Sequence, residues 1–196
     1  MEDGVVHIEK QPVSLDKSAA WATMQNLYGV RGDYQRAATT QTLLEGLREY
    51  YEVNPGLSNP AEIEEPRSAR YFHNHDCTHV IFGTHTGPLD EGVNDLYTFF
   101  GVNVRYLDYI GGFFATKESA LIIEEYKVEY SMSSLVQVFV QTLRLLPKIR
   151  RTCRAMGKKW PWDPPDELLQ RPLSSIRADF GIELWRPEVE LGLDLQ

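Results

Sequence analysis

His75 and His79 stand four residues apart, Asp76 follows the first of them, and Glu91 comes twelve positions after His79. On a helix, side chains four apart lie side by side on one face, and Asp76, three before His79, leans toward the same patch. Two imidazoles and two carboxylates form a four-ligand set for a divalent ion: His75, Asp76, His79 and Glu91. Zinc is the first choice for such nitrogen and oxygen donors, while two His with one carboxylate and open positions equally suit iron. Magnesium also accepts the carboxylates. The simpler reading is a hydrogen-bonded histidine pair with Asp76 solvated or capping. No catalytic residue is assigned. His73, two residues before His75, points away from the ligand face, and His85 lies in the following turn as a fifth ligand or a proton shuttle.

These residues need two antiparallel helices joined by a tight turn. The sequence predicts the first from about Arg67 to Phe82, closed by Gly83, and the second from about Leu89 to Phe100, with Pro88 in its first turn. Asp90 and Glu91 suit the positive N-terminal end of that second helix. Further helical patterns run from Leu15 to Leu27 and from Thr40 to Val53, the latter with an inner stripe of Leu43, Leu44, Leu47, Tyr50 and Tyr51. Lys117–Tyr130 reads as an amphipathic helix. A longer helix follows Ser131–Ser134 with Leu135, Val136, Phe139, Val140, Leu143 and Leu146 on one face and a kink expected at Pro147. The segment Val102–Ala115, with its Gly111–Gly112 pair, admits strand, irregular or helical structure. Trp160–Pro165 reads as a rigid loop with Asp163 as N-cap of a last helix from Asp166 to Phe180, closed by Gly181. With no strand–helix–strand rhythm, the fold class is all-α: a single-domain helical bundle with a metal site between two helices, and residues 1–13 as a tail.

Composition narrows the function. Apolar residues at 42% and charged residues at 24% are ordinary for a globular domain of 196 residues. A net charge of −8 disfavours nucleic acid as a partner. Two cysteines are too few for a disulfide framework. The acidic start and the lack of a long apolar run predict a cytoplasmic protein that meets a membrane, if at all, as a peripheral contact. Between Arg144 and Lys159 there are seven basic residues and no acid, followed by Trp160 and Trp162, a combination found in elements that dock on membrane interfaces.

The pattern His-Asp-x-x-His, eleven residues, then Glu resembles the signature of the ubiquinone (coenzyme Q) biosynthesis protein 4 family. The resemblance extends to Arg70-Tyr71-Phe72-His73-Asn74 leading into the motif, to Gly83, to Ile110-Gly111-Gly112-Phe113-Phe114, and to Leu168-Leu169-Gln170, Leu173, Ile176-Arg177 and Phe180-Gly181-Ile182. It covers about residues 40–182. Gly92 departs from the pattern, since an apolar residue usually follows the Glu. The resemblance implies a helical fold, a metal at His75, Asp76, His79 and Glu91, and a hydrophobic tunnel for a polyprenyl tail. Val136, Phe139, Val140, Leu143, Phe113 and Phe114 are the expected lipid contacts. It implies removal of the carboxyl group from, and hydroxylation of, ring carbon 1 of a prenylated quinone precursor, with other ubiquinone-biosynthesis proteins as partners. A homo-oligomer is compatible with this reading. Two alternatives stand beside it: a non-catalytic lipid-binding scaffold, and a phosphohydrolase, because His75-Asp76 also resembles the HD superfamily. The latter needs an upstream His, for which His7 is the nearest candidate, and a later Asp on another helix.

Overall fold

A computed structural model describes residues 32–186. The expected helix at Leu15–Leu27 and the tail at residues 1–13 lie outside the described residues. Within them the fold is all-α: eight α-helices, two 3₁₀ turns and a single pair of two-residue strands. The helices are α1 (Leu43–Val53), α2 (Pro66–Phe82), α3 (Pro88–Gly101), α4 (Tyr106–Ala115), α5 (Glu118–Glu129), α6 (Met132–Ala155), α7 (Asp166–Leu169) and α8 (Leu173–Phe180). No described helix is long and apolar enough to cross a membrane.

Local chemistry sets most boundaries. Thr42 and Glu45 form a reciprocal capping box at the start of α1, so two amides that the helix leaves unpaired are satisfied by side chains. Glu65 caps α2 through the amides of Arg67 and Ser68, and Pro66 takes the first position, where an N–H is not needed. Gly83 ends α2 at φ 75°, and Gly181 ends α8 at φ 69°, left-handed conformations that a side chain would strain.

The core lies among α1, α2, α3, the C-terminal half of α6, and α8. Leu43, Leu47 and Tyr50 of α1 meet Val80, Ile81 and Phe82 of α2 and Val93 and Tyr97 of α3, with Ile149, Ile176, Trp160 and Trp185 closing the cluster. The guanidinium of buried Arg177 donates to the carbonyls of Val80, Ile81, Tyr34 and Arg36, tying α8 to the last turn of α2. Two of those carbonyls fall where an α-helix has no internal donor left.

One open sequence expectation is resolved and several others are corrected. Val102–Ala115 resolves into strand β1 (Val102–Asn103) and α4. β1 pairs in parallel with β2 (Trp160–Pro161), so the start of the expected rigid loop is held to the end of α3. The last helix is two helices broken at Arg171–Pro172, because proline lacks an amide and biases its predecessor away from helix. Asp163 caps no helix; it pairs with Arg70 of α2. α5 has no buried apolar stripe, Ser119 being its one buried residue.

The largest correction concerns α6. Its inward residues are Leu145, Ile149 and Cys153, while Val136, Phe139, Val140 and Leu143 are exposed. The cause lies at the crossing with α3. A Cβ on Gly92 would stand 2.5 Å from Thr142 Oγ1, so glycine at this position admits a close approach with Thr142 facing α3. That rotation turns the expected apolar face outward. α6 continues as one helix through Pro147 to Ala155.

Candidate metal centre

The five-residue turn between α2 and α3 folds Glu91, in the first turn of α3, back onto the histidines in the last two turns of α2. The Gly83 amide returns to the His79 carbonyl at 2.9 Å, and the Asp90 carboxylate accepts from the His85 amide at 2.7 Å and from the Trp185 indole at 2.7 Å. One ligand atom each from His75, His79 and Glu91 lies within 4.8 Å of the others, a spread that one ion can bridge. Glu91 Oε2 is 3.4 Å from His79 Nε2 and 3.9 Å from His75 Nε2. The imidazole rings meet edge-on, with centroids 4.7 Å apart.

Hydrogen bonds set both histidines for coordination. His79 is fully buried, and its Nδ1 meets Thr84 Oγ1 at 2.9 Å. The Thr84 hydroxyl donates to Asn94 Oδ1 at 3.3 Å, so the network assigns the proton of this contact to His79 Nδ1. His79 Nε2 then offers a lone pair into the cluster. That atom is buried and has no hydrogen-bond partner. Buried polar atoms are rarely left so, and a missing ion is one explanation that the geometry fits. Asn94 also donates to Thr78 Oγ1 at 2.9 Å, and its Nδ2 stands 3.5 Å from His75 Nε2, matching a lone pair on that nitrogen as well.

Asp76 is not among the three clustered ligands. Adjacent residues on a helix diverge by about 100°, so Asp76 stands behind His75 rather than beside it. Its Oδ1 lies 3.8 Å from His75 Nδ1, and its Oδ2 accepts the Tyr51 hydroxyl at 2.7 Å. At that distance Asp76 acts on His75 through its charge rather than through a hydrogen bond. His73 Nε2 meets Cys77 Sγ at 3.8 Å, away from the cluster. His85 Nδ1 faces Thr86 Oγ1 at 3.4 Å, and its charge is felt by Glu91.

Electrostatics around the cluster are tightly balanced. Burial depresses the His75 pKa, but the nearby carboxylates of Asp76, Glu91 and Asp95 outweigh it, leaving His75 raised. Burial alone would raise Glu91; the nearby imidazoles of His79, His75 and His85 hold it below its ordinary value. Burial pushes Asp95 up, against the hydrogen bond that it accepts from Tyr109 at 2.6 Å. Aromatic rings wall the site: Tyr50 stacks on His79 at 5.4 Å, and Tyr71 and Tyr109 stack on His75 at 6.3 and 6.2 Å. Tyr126 of α5 is half-buried, and burial, helped by the charges of Glu91 and Asp95, pushes its hydroxyl above the ordinary value.

Asn94 and Asp95 are the site residues that the motif omits. Their signal in the sequence is spacing, three and four residues after Glu91, which puts all three on one face of α3. Phe113 is half-buried against Tyr71, while Phe114 is exposed like Val136, Phe139, Val140 and Leu143. Of the six expected lipid contacts, five are therefore exposed on α4 and α6 and one is half-buried. Of the HD-type requirements, the upstream candidate His7 lies outside the described residues, and Asp95, on α3, is a later Asp on another helix than His75 and Asp76.

No family model, curated protein or solved structure matches this chain.

Proposed function

We propose that the protein binds one divalent ion at His75, His79 and Glu91 and acts on a prenylated aromatic acid, as in ubiquinone biosynthesis. The observation that carries the metal part is the orphaned, fully buried Nε2 of His79 aimed into a cluster that also holds a histidine and a carboxylate. Three protein ligands leave coordination positions open, which favours a reactive centre over a structural ion in a scaffold. Zinc remains the first choice for this donor set and iron the second. The substrate part rests on the family resemblance around the motif and on the apolar face of α4 and α6.

A bound ion would act as a Lewis acid, stabilising negative charge as a carboxyl group leaves. In that loss the carbon–carbon bond at ring carbon 1 breaks, carbon dioxide departs, and the electron pair left on the ring takes up a proton. Asp95, which burial pushes above its ordinary value and which lies on the same face of α3 as Glu91, would serve as the donor. If the same carbon is hydroxylated, dioxygen and a two-electron donor enter as co-reactants. Tyr50, Tyr71 and Tyr109 keep water from the histidines. The prenyl tail lies along Phe114, Val136, Phe139, Val140 and Leu143, gaining about 0.8 kcal/mol for each methylene-sized group it shields.

The test combines metal analysis, lipid mass spectrometry and a carbon dioxide release assay on one preparation. Wild type is expected to carry one equivalent of metal and to release carbon dioxide from a prenylated hydroxybenzoate. His75→Ala and His79→Ala lose both, while His73→Ala retains both. Equal metal in wild type and in the His75→Ala, His79→Ala double variant would sink the metal reading. Metal without turnover or prenyl-lipid binding would sink the substrate reading alone.

A further inference from the structure

A second concavity lies beside the metal centre and shares one wall with it. It is a groove of about 620 Å³ between the N-terminal half of α2, the α4–α5 turn and the Trp162–Asp163 segment. That volume falls within the range of sites for small organic ligands, roughly 300–1,000 Å³. Its aromatic surface comes from Tyr71 and Trp162, which pack at 5.5 Å, and Tyr71 stacks on His75 from its other side.

The polar groups of the groove are unevenly matched. Of its two carboxylates, Asp163 is taken by Arg70, and Glu65 accepts the Arg67 and Ser68 amides as the cap of α2. Arg67 and Lys117, on different elements, are exposed at the groove and form no close ion pair among the described residues; Glu65 feels the Arg67 charge but spends its oxygens on the cap of α2. Asn74, only 2% exposed, lines it as well. Its amide faces Asp163, but its Oδ1 is buried with no hydrogen-bond donor. A complementary ligand has an acid group for Arg67 and Lys117, a flat apolar body for the aromatic rings and a hydrogen-bond donor for Asn74. Guanidinium suits carboxylate and phosphate oxygens in particular.

We infer that this groove is a binding site for an aromatic anion, an aryl carboxylate or aryl phosphate held by Arg67 and Lys117 over Tyr71 and Trp162. The site is distinct from the metal ligands and does not depend on an ion being bound.

Trp162 lines the groove and provides the readout, Trp160 and Trp185 being buried in the core, and a Trp21→Phe background removes the remaining indole. Fluorescence titrations with benzoate and phenyl phosphate are expected to give saturable quenching, and phenol and inorganic phosphate to bind at least tenfold more weakly. Trp162→Phe removes the signal. In the Arg67→Gln, Lys117→Gln double variant, affinity falls about tenfold, the scale of two partly exposed charge contacts, with the urea midpoint unchanged. Shifts of the Asn74 side-chain amide in nitrogen-15 spectra report occupancy independently of fluorescence. Binding persists in metal-free protein and in His75→Ala, His79→Ala. Loss of binding there would place the anion on the metal centre and overturn the groove. Equal binding of inorganic phosphate, unchanged affinity in the charge variant, or no saturable response would overturn it as well.

Discussion

Thr84→Val removes one hydroxyl from the centre of the candidate metal site and keeps the side chain's shape. Thr84 is fully buried, and its Oγ1 both receives the His79 Nδ1 proton at 2.9 Å and donates to Asn94 Oδ1 at 3.3 Å. Valine leaves one buried donor and one buried acceptor unpaired. Each costs about 1–3 kcal/mol, and the bond that Asn94 Nδ2 donates to Thr78 does not relieve its Oδ1, so the variant is expected to lose roughly 2–6 kcal/mol. The effect on metal is separate. Without Thr84, His79 can move its proton to Nε2 and donate to Glu91, now 3.4 Å away, which hides the lone pair that an ion needs. Loss of such a supporting hydrogen bond typically costs ~10–100-fold in metal affinity. Urea unfolding of metal-free protein measures the first effect, and competition with a chelator measures the second. Thr84→Ser, which keeps the hydroxyl, is expected to recover most of both. If Thr84→Val binds metal within twofold of wild type, the proton assignment on His79 is wrong.

Metal-free protein is expected to be most stable between the ordinary values of Glu91 and His75, pH 4.5 and 6.5. His75 is raised, so its contribution is complete below 6.5 and disappears as pH climbs through its folded value. Glu91 is lowered, so its contribution is complete above 4.5 and disappears as pH falls through its folded value. Urea midpoints in chelator across pH 4–8 check this, His75→Gln flattening the upper limb and Glu91→Gln separating the lower limb from Asp95; metal affinity should rise with pH over the upper limb, since the ion needs neutral imidazole. Arg177→Met should cost about 3–5 kcal/mol in denaturant unfolding, because four carbonyls lose their donor, two of them at the end of the helix that carries His79. Gly92→Ala places a methyl 2.5 Å from Thr142 Oγ1 and should cost about 1–3 kcal/mol, and a Gly92→Ala, Thr142→Ala double variant should regain most of it; equal stability of the single variant and wild type would show that α6 does not cross α3 as described.

The metal cluster was legible in the sequence because its determinants are local. Two histidines at helical spacing share a face whatever surrounds the helix. Gly83 and Pro88 state a stop and a start, and a turn that short leaves the first turn of α3 little choice but to lie beside the last turns of α2. Helices α1, α2 and α3 fall within a few residues of their expected limits for the same reason, since caps and breakers act over one turn. Asp76 could not be placed this way: whether a residue at the edge of the face coordinates or supports depends on its partner, and Tyr51 comes from another helix, 25 residues away. Tertiary structure also decided which face of α6 turns inward. Its apolar residues cover more than one side, so periodicity alone offered the wrong stripe, and the choice was made by the close contact of Gly92 with Thr142. The buried Arg177 belongs to the same class, an ordinary helical arginine in the sequence that becomes a cap for α2 only because α8 ends against it. Spacing along the chain determined which groups could meet an ion, and packing between distant helices decided which groups hold them in place and which apolar side chains were left facing out.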